Sequence, residues 1–157
     1  DLKTLTPEEV EYILEIRKLL EGYFARKAAP RITGEDLEEL YDILESSSRA
    51  VEKGDYEAYK ECDIRFHGLI RDKSGNVLAA EIMSTLENQI RLLMSTSVHL
   101  QGRAISSLSR HTAIVEAFER KDEAAAEEAA RTHIENVKQA VIAFLASEEA
   151  GSEAHSN

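Results

Sequence analysis

Helix breakers are scarce enough in this chain to dictate its fold class. Pro7 and Pro30 are its only prolines, and seven glycines complete the breakers in 157 residues. Between them run long segments of Ala, Leu, Glu, Lys and Arg, the residues that lose least on entering a helix. No run of alternating Val, Ile or Thr bounded by turn residues offers a strand. The expectation is an all-α fold: one domain around one core.

Capping signals divide the chain into about six helices. Thr6-Pro7-Glu8-Glu9 places a capping hydroxyl before a proline at the first helical position, with acidic residues in the first turn. That helix should run to about Ala29. Thr33 with Asp36 opens a second helix, to about Lys53. Gly54-Asp55 breaks it, and a third spans about Tyr56 to Asp72. Ser74-Gly75-Asn76 reads as a turn. A fourth helix covers about Val77 to Val98, and Gln101-Gly102 reads as a loop. A fifth ends near Lys121-Asp122, and a sixth spans about Glu123 to Ser147. The domain is thus expected over 1–147, and 148–157 is expected to be a flexible polar tail.

The formal net charge is -11. A surface that acidic repels phosphate backbones and anionic lipid, so this chain by itself should bind neither nucleic acid nor membrane. No apolar run approaches the roughly 20 residues of a membrane span. Asp1-Leu2-Lys3-Thr4 does not read as a signal peptide. The lone cysteine, Cys62, has no internal partner for a disulfide and reads as a packing residue; a reducing cytoplasm is expected.

Periodicity carries the chemistry. The third helix has the stripe Tyr59, Asp63, Phe66, His67, Ile70. The fifth has Leu108, His111, Val115, Phe118, and the sixth has Ala126, Ala130, His133, Val137, Phe144. All three follow core-facing spacing, and each places metal-competent residues in an apolar row. A buried carboxylate or imidazole needs a partner. Asp63 and His67, four apart, can grip one ion from one helix face, with His111 and His133 completing the set from other helices. One carboxylate and three imidazoles suit one divalent transition metal, zinc first, with nickel, manganese or iron as alternatives; calcium and magnesium prefer oxygen. Bundle cores often house such sites. Spacing alone leaves a second reading open, in which the histidines are hydrogen-bonded core residues and Asp63 pairs with Arg65 or Arg110.

Arg17 is a second irregularity, since the first-helix stripe reads Val10, Ile13, Arg17, Leu20, Phe24. It either snorkels to solvent along its stem or clamps the carboxylate of a ligand. Asn88 and Arg91 on the fourth helix are weaker candidates for the same role. His99 and His155 are expected to be solvated.

Taken together, several motifs resemble a known pattern. Glu15-Ile16-Arg17-x-x-Leu20-Glu21 is similar to the opening of the FCD domain, the effector-binding half of GntR-type bacterial regulators of the FadR subfamily. Asp63-Ile64-Arg65-Phe66-His67 resembles its D-x-x-F-H, and Ser74-Gly75-Asn76 its S-G-N turn. His111-Thr112-Ala113-Ile114-Val115-Glu116-Ala117 resembles H-x-x-I-x-x-A. Asp122, Ala125 and Arg131-Thr132-His133-Ile134 resemble the closing segments. The likeness covers about 8–145. It implies an antiparallel helical bundle around a central metal and ligand cavity. Its metal positions fall on Asp63, His67, His111 and His133, and a small organic acid binds beside the metal in many members. Six helices suit the VanR-like branch better than the seven-helix FadR-like one. The resemblance also implies a homodimer and a winged helix-turn-helix DNA-binding domain, which these residues do not contain; the chain reads as a fragment or a stand-alone sensor. Arg110 stands where the family often has Glu, which puts the surroundings of His111 in question.

The function expected is metal-dependent sensing of a small carboxylate for a GntR-type transcription regulator, with no enzymatic activity. Two other classes compete. A mononuclear metalloenzyme would need a general acid or base beside the metal, and the acidic residues nearest in sequence, Glu61 and Asp72, lie on the polar side of their helix. A helical interaction module without metal would use its inward histidines for structure alone.

Overall fold

The computed structural model describes the backbone over 5–97 and 101–156, and side chains over 5–89, 91 and 104–156. Asp1-Leu2-Lys3-Thr4, Val98 and His99 lie outside the described residues. The elements are α1 (Pro7–Ala28), a 3-10 turn (Ala29–Arg31), α2 (Gly34–Glu52), α3 (Tyr56–Ser74), α4 (Val77–Ser97), α5 (Gln101–Glu119) and α6 (Glu123–His155). Among the described residues there is no strand. The all-α expectation holds, with six α-helices in an antiparallel bundle.

Local chemistry sets most of the boundaries. Thr6 Oγ1 accepts from the Glu9 amide at 3.1 Å. Thr33 and Asp36 form a reciprocal capping box, at 3.1 and 2.8 Å. Asp55 caps α3 by accepting from the Ala58 amide, and Asp122 caps α6 by accepting from the Ala125 amide. α3 ends at Gly75, whose φ of 75° is left-handed, and Arg31 Nη1 stands 2.0 Å from where a Cβ would sit. Only glycine meets both demands. Asn76 then caps α4, accepting from Ala79, and its amide nitrogen donates to the Tyr23 hydroxyl at 2.9 Å. The turn is thereby tied back to α1.

Two boundaries differ from expectation. Gln101-Gly102 is helical, the first turn of α5. First-turn amides lack intrahelical partners, so glycine interrupts least there. α6 runs to His155, past Ser147. The segment 148–155 is polar and exposed but rich in Ala and Glu, and polarity reports exposure more directly than it reports conformation.

Five helices close a ring: α1 packs on α6, α6 on α5, α5 on α2, α2 on α3, and α3 on α1, while α4 lies against α1. Phe24, Phe66, Phe118, Leu40, Ile43, Met83 and Ile114 fill one end of the core. Val10, Ile13 and Leu14 of α1 meet Val137 and Val141 of α6 elsewhere. A third cluster joins Ala50, Val51, Tyr59 and Ala104. Each large apolar side chain so buried contributes about 1.5–3 kcal/mol. The polar site lies between these clusters. Along α1, Arg17 and Glu21 separate Leu14 from Phe24; along α3, Asp63 separates Tyr59 from Phe66; along α6, His133 separates Ala130 from Val137.

Candidate metal and effector site

Three histidines on three helices converge in the middle of the ring. His67 of α3, His111 of α5 and His133 of α6 are each no more than 4% exposed. One ligating atom from each lies within 4.8 Å of the others. His111 Nε2 and His133 Nε2 are 3.0 Å apart. Asp63, one turn before His67, brings Oδ1 to 3.3 Å from His67 Nε2 and 3.5 Å from His111 Nε2. Its side chain is 36% exposed, so it faces the site from the open side. The Phe66 ring stacks on His111 at 4.3 Å between centroids and fixes that ring's plane. Arg65 reaches Glu39 and Arg110 reaches His133, so Asp63 pairs with neither.

Electrostatics place the positive charge of the cluster on His67 and disfavour it on the other two rings. Burial works to lower His67, but Asp63 on one nitrogen and Glu21 on the other raise its pKa to about 9. Burial lowers His111 to about 3, helped by the charge on His67. His133 is held well below the usual imidazole range by burial, then by His111 and His67. Burial works to raise Asp63, yet His67, His111 and Arg17 outweigh it and keep the carboxyl well below the usual carboxylate range.

Glu21 is a central residue that sequence reasoning left inside a motif. It is 3% exposed, and its Oε2 lies 3.4 Å from His67 Nδ1. Burial works to raise its pKa, but His67, Arg17 and Arg71 together keep it below the ordinary value. Its position four residues after Arg17, on the same face, was the signal available in the sequence. Arg71 was also missed, although it continues the i, i+4 row from Asp63 and His67. Its Nη2 lies 2.6 Å from Glu87 Oε1 and 3.8 Å from Glu21 Oε1.

A cavity of about 440 Å³ opens onto this cluster, and Arg17, Asp63, His67, Arg71, Arg91 and His133 are among its lining residues. Arg17 is buried, with Nε 3.9 Å from Glu21 Oε1; the snorkelling alternative does not hold. Arg91 is exposed at the rim. Asn88 is exposed and does not line the cavity, whereas its neighbour Glu87 does. His155 is exposed at the end of α6.

The residues fit a metal and an anion. Arg17 Nε, Glu21 Oε1, His67 Nε2 and Arg71 Nε are buried and find no hydrogen-bond partner among the described residues. Such atoms are costly unless something satisfies them. Three imidazoles and a carboxylate are a donor set for a transition metal, and unsatisfied guanidinium nitrogens suit an anion.

Known proteins resemble this chain along most of its length. The galactonate operon transcriptional repressor of Escherichia coli strain K12 is 29% identical over 129 residues, 82% of this chain and 56% of that protein. The HTH-type transcriptional regulator LutR of Bacillus subtilis strain 168 is 29% identical over 148 residues, 88% of this chain and 64% of that protein. This chain therefore spans less than two thirds of the length of either relative. Both are named as regulators, neither as an enzyme. Among solved structures, Streptococcus agalactiae GntR matches with a TM-score of 0.69 and 28% identity, over 83% of this chain and 58% of that one. E. coli McbR/YncC matches with a TM-score of 0.73 at 24% identity, over 92% and 71%, and supports the fold. A model of the FCD domain matches residues 12–136, and on that match the chain belongs to the FCD domain family.

Proposed function

We propose that this chain senses a small carboxylate in the cytoplasm for a GntR-type transcription regulator, with a metal as part of the sensor. The observation that carries the reading is a cavity lined by His67 and His133 of the three-histidine cluster together with Arg17 and Arg71. Asp63, His67, His111 and His133 would hold one divalent transition metal, zinc first, which supplies a Lewis-acidic centre for an anionic ligand. Arg17, with Arg91 at the rim, would pair with the ligand's carboxylate; Arg71 is placed to assist. A relative named for a galactonate operon is consistent with an organic acid effector.

Helices α1, α3, α5 and α6 all contribute to the site, so a bound acid would add contacts shared by four helices to the ion pairs and apolar packing that already join them. A shift in that packing would pass to the rest of a homodimeric regulator, in which DNA contact belongs to a winged helix-turn-helix domain outside these residues. The net charge of -11 is consistent with that division of labour.

Calorimetric titration of hydroxy acids, dicarboxylates and neutral analogues into metal-loaded protein tests the proposal. The best binder should be an acid, and Arg17→Met should weaken it at least about tenfold with metal content unchanged, the scale of one charge-assisted bidentate contact. Arg91→Met should cost less. Tightest binding by a neutral compound, or equal affinity in Arg17→Met, would contradict the reading.

A further inference from the structure

The sequence put the surroundings of His111 in question because of Arg110. The structure directs that arginine elsewhere. Arg110 Nε donates to His133 Nδ1 at 3.2 Å. Its other guanidinium nitrogens donate to Ser106 Oγ and, at 3.5 Å, to Ser107 Oγ. A guanidinium has donors only and does not lose its proton in proteins. The Nδ1 of His133 must therefore present a lone pair, and the ring's single proton must sit on Nε2. That Nε2 faces His111 Nε2 at 3.0 Å, so the proton bridges the two rings. His133 thus donates from the atom that would have to accept a metal.

We infer that Arg110 is a positioning residue that fixes His133 in its Nε2–H tautomer and so holds down the affinity of the three-histidine site for a metal. The inference rests on the metal reading proposed above. To ligate through Nε2, His133 must carry its proton on Nδ1, where Arg110 Nε–H already points; two donors would then oppose each other. Release of Arg110 from His133 becomes a condition of metal binding. The ring nitrogen away from a metal ordinarily faces an acceptor, which fixes the ligating tautomer. His67 follows that rule, with Glu21 on its Nδ1. His133 has the opposite arrangement, so the cluster combines one ligand pre-set for a metal with one pre-set against it.

Nitrogen-15 NMR of the imidazole rings in metal-free protein, paired with calorimetric titration of zinc alone, tests this on wild type, Arg110→Met and Arg110→Glu. Met removes the donor while keeping a packing stem, and Glu substitutes an acceptor. Wild-type His133 should be the Nε2–H tautomer, and Arg110→Glu should convert it to Nδ1–H. Zinc affinity should rise in the order wild type, Met, Glu, with about tenfold or more between the ends, the scale of changes in groups that support metal ligands. An Nδ1–H tautomer in wild type would overturn the inference, even if zinc binds. Equal or weaker zinc affinity in both variants would overturn it as well. Failure of all three proteins to bind zinc, with the tautomers as expected, would instead sink the metal reading and remove the affinity claim with it.

Discussion

Glu21 Oε2 stands 3.4 Å from His67 Nδ1, while Asp63 Oδ1 stands 3.3 Å from the same ring's Nε2. One imidazole is therefore held between two carboxylates, one fully buried and one at the cavity. In the absence of a metal, this is a site for an imidazolium, whose charge faces a carboxylate on either side of the ring. Were a metal held by His67, Nε2 would be the ligating atom and Glu21 would orient the ring through Nδ1.

Glu21→Gln should therefore act on both states. Gln keeps the volume but leaves the His67 cation short of a counter-charge in a buried place. Breaking one member of a buried pair typically costs about 3 kcal/mol or more, so urea denaturation of chelated protein should show a loss of that order. Zinc affinity should fall about tenfold, since the group orienting a ligand has been weakened. Unchanged stability and unchanged zinc affinity would mean that Glu21 merely fills space.

The pH dependence of the metal-free protein follows from the same groups. His67 is raised to about 9 in the folded state, so its contribution is complete below about 6.5 and disappears as pH rises through 9. His111 is lowered to about 3, and His133 is lowered too; their contributions are complete above about 6.5 and disappear on acidification below it. Asp63 and Glu21, both depressed, add to the acid-side loss. Stability should peak near pH 6.5 and fall more steeply toward acid, where two imidazoles take up protons, than toward alkali, where one loses its proton. Denaturation midpoints between pH 4 and 9.5 in excess chelator will check this. A plateau across pH 7–9 would contradict the double-carboxylate environment of His67.

Lys121 offers a prediction independent of the site. It joins α5 to α6 with φ of 54°, a left-handed conformation that disfavours a side chain. Its neighbours show the closing pattern of a helix end: Lys121 N donates to Phe118 O at 2.9 Å and Asp122 N to Ala117 O at 3.0 Å. Glycine is the ordinary residue there, and Lys121 is exposed. Lys121→Gly should stabilise the protein by about 1 kcal/mol, read from thermal melts. A lower melting temperature would show that the lysine side chain contributes more than the strain costs.

The helices were legible because their caps are local. Thr6, Thr33 with Asp36, and Asp122 each bind backbone within three residues, so the sequence contains both partners. The convergence of Asp63, His67, His111 and His133 was legible because each polar residue interrupts an apolar stripe. Glu21 and Arg71 were not recognised, and Arg110 was assigned to the surroundings of His111 or Asp63 rather than to His133, because such roles depend on which helix lies opposite and how far a long side chain extends. Asn88 illustrates the limit for α4. On that helix Ala79 and Met83 are buried while Val77, Leu78 and Ile82 are exposed. With apolar residues on both sides, periodicity does not say which way Asn88 faces.

The central claim is that His67, His111 and His133 form a metal site, and a chelator-dependent melt tests it most directly. Protein purified without affinity metal would be assayed for metal content, loaded with zinc, then melted with and without a strong chelator. A metal that binds only the folded state stabilises it in proportion to the logarithm of its concentration over Kd. The account predicts stoichiometric zinc, a melting temperature that falls on chelation, and loss of that dependence in His111→Ala. Equal melting temperatures for zinc-treated and chelated protein, with no zinc retained, would contradict it.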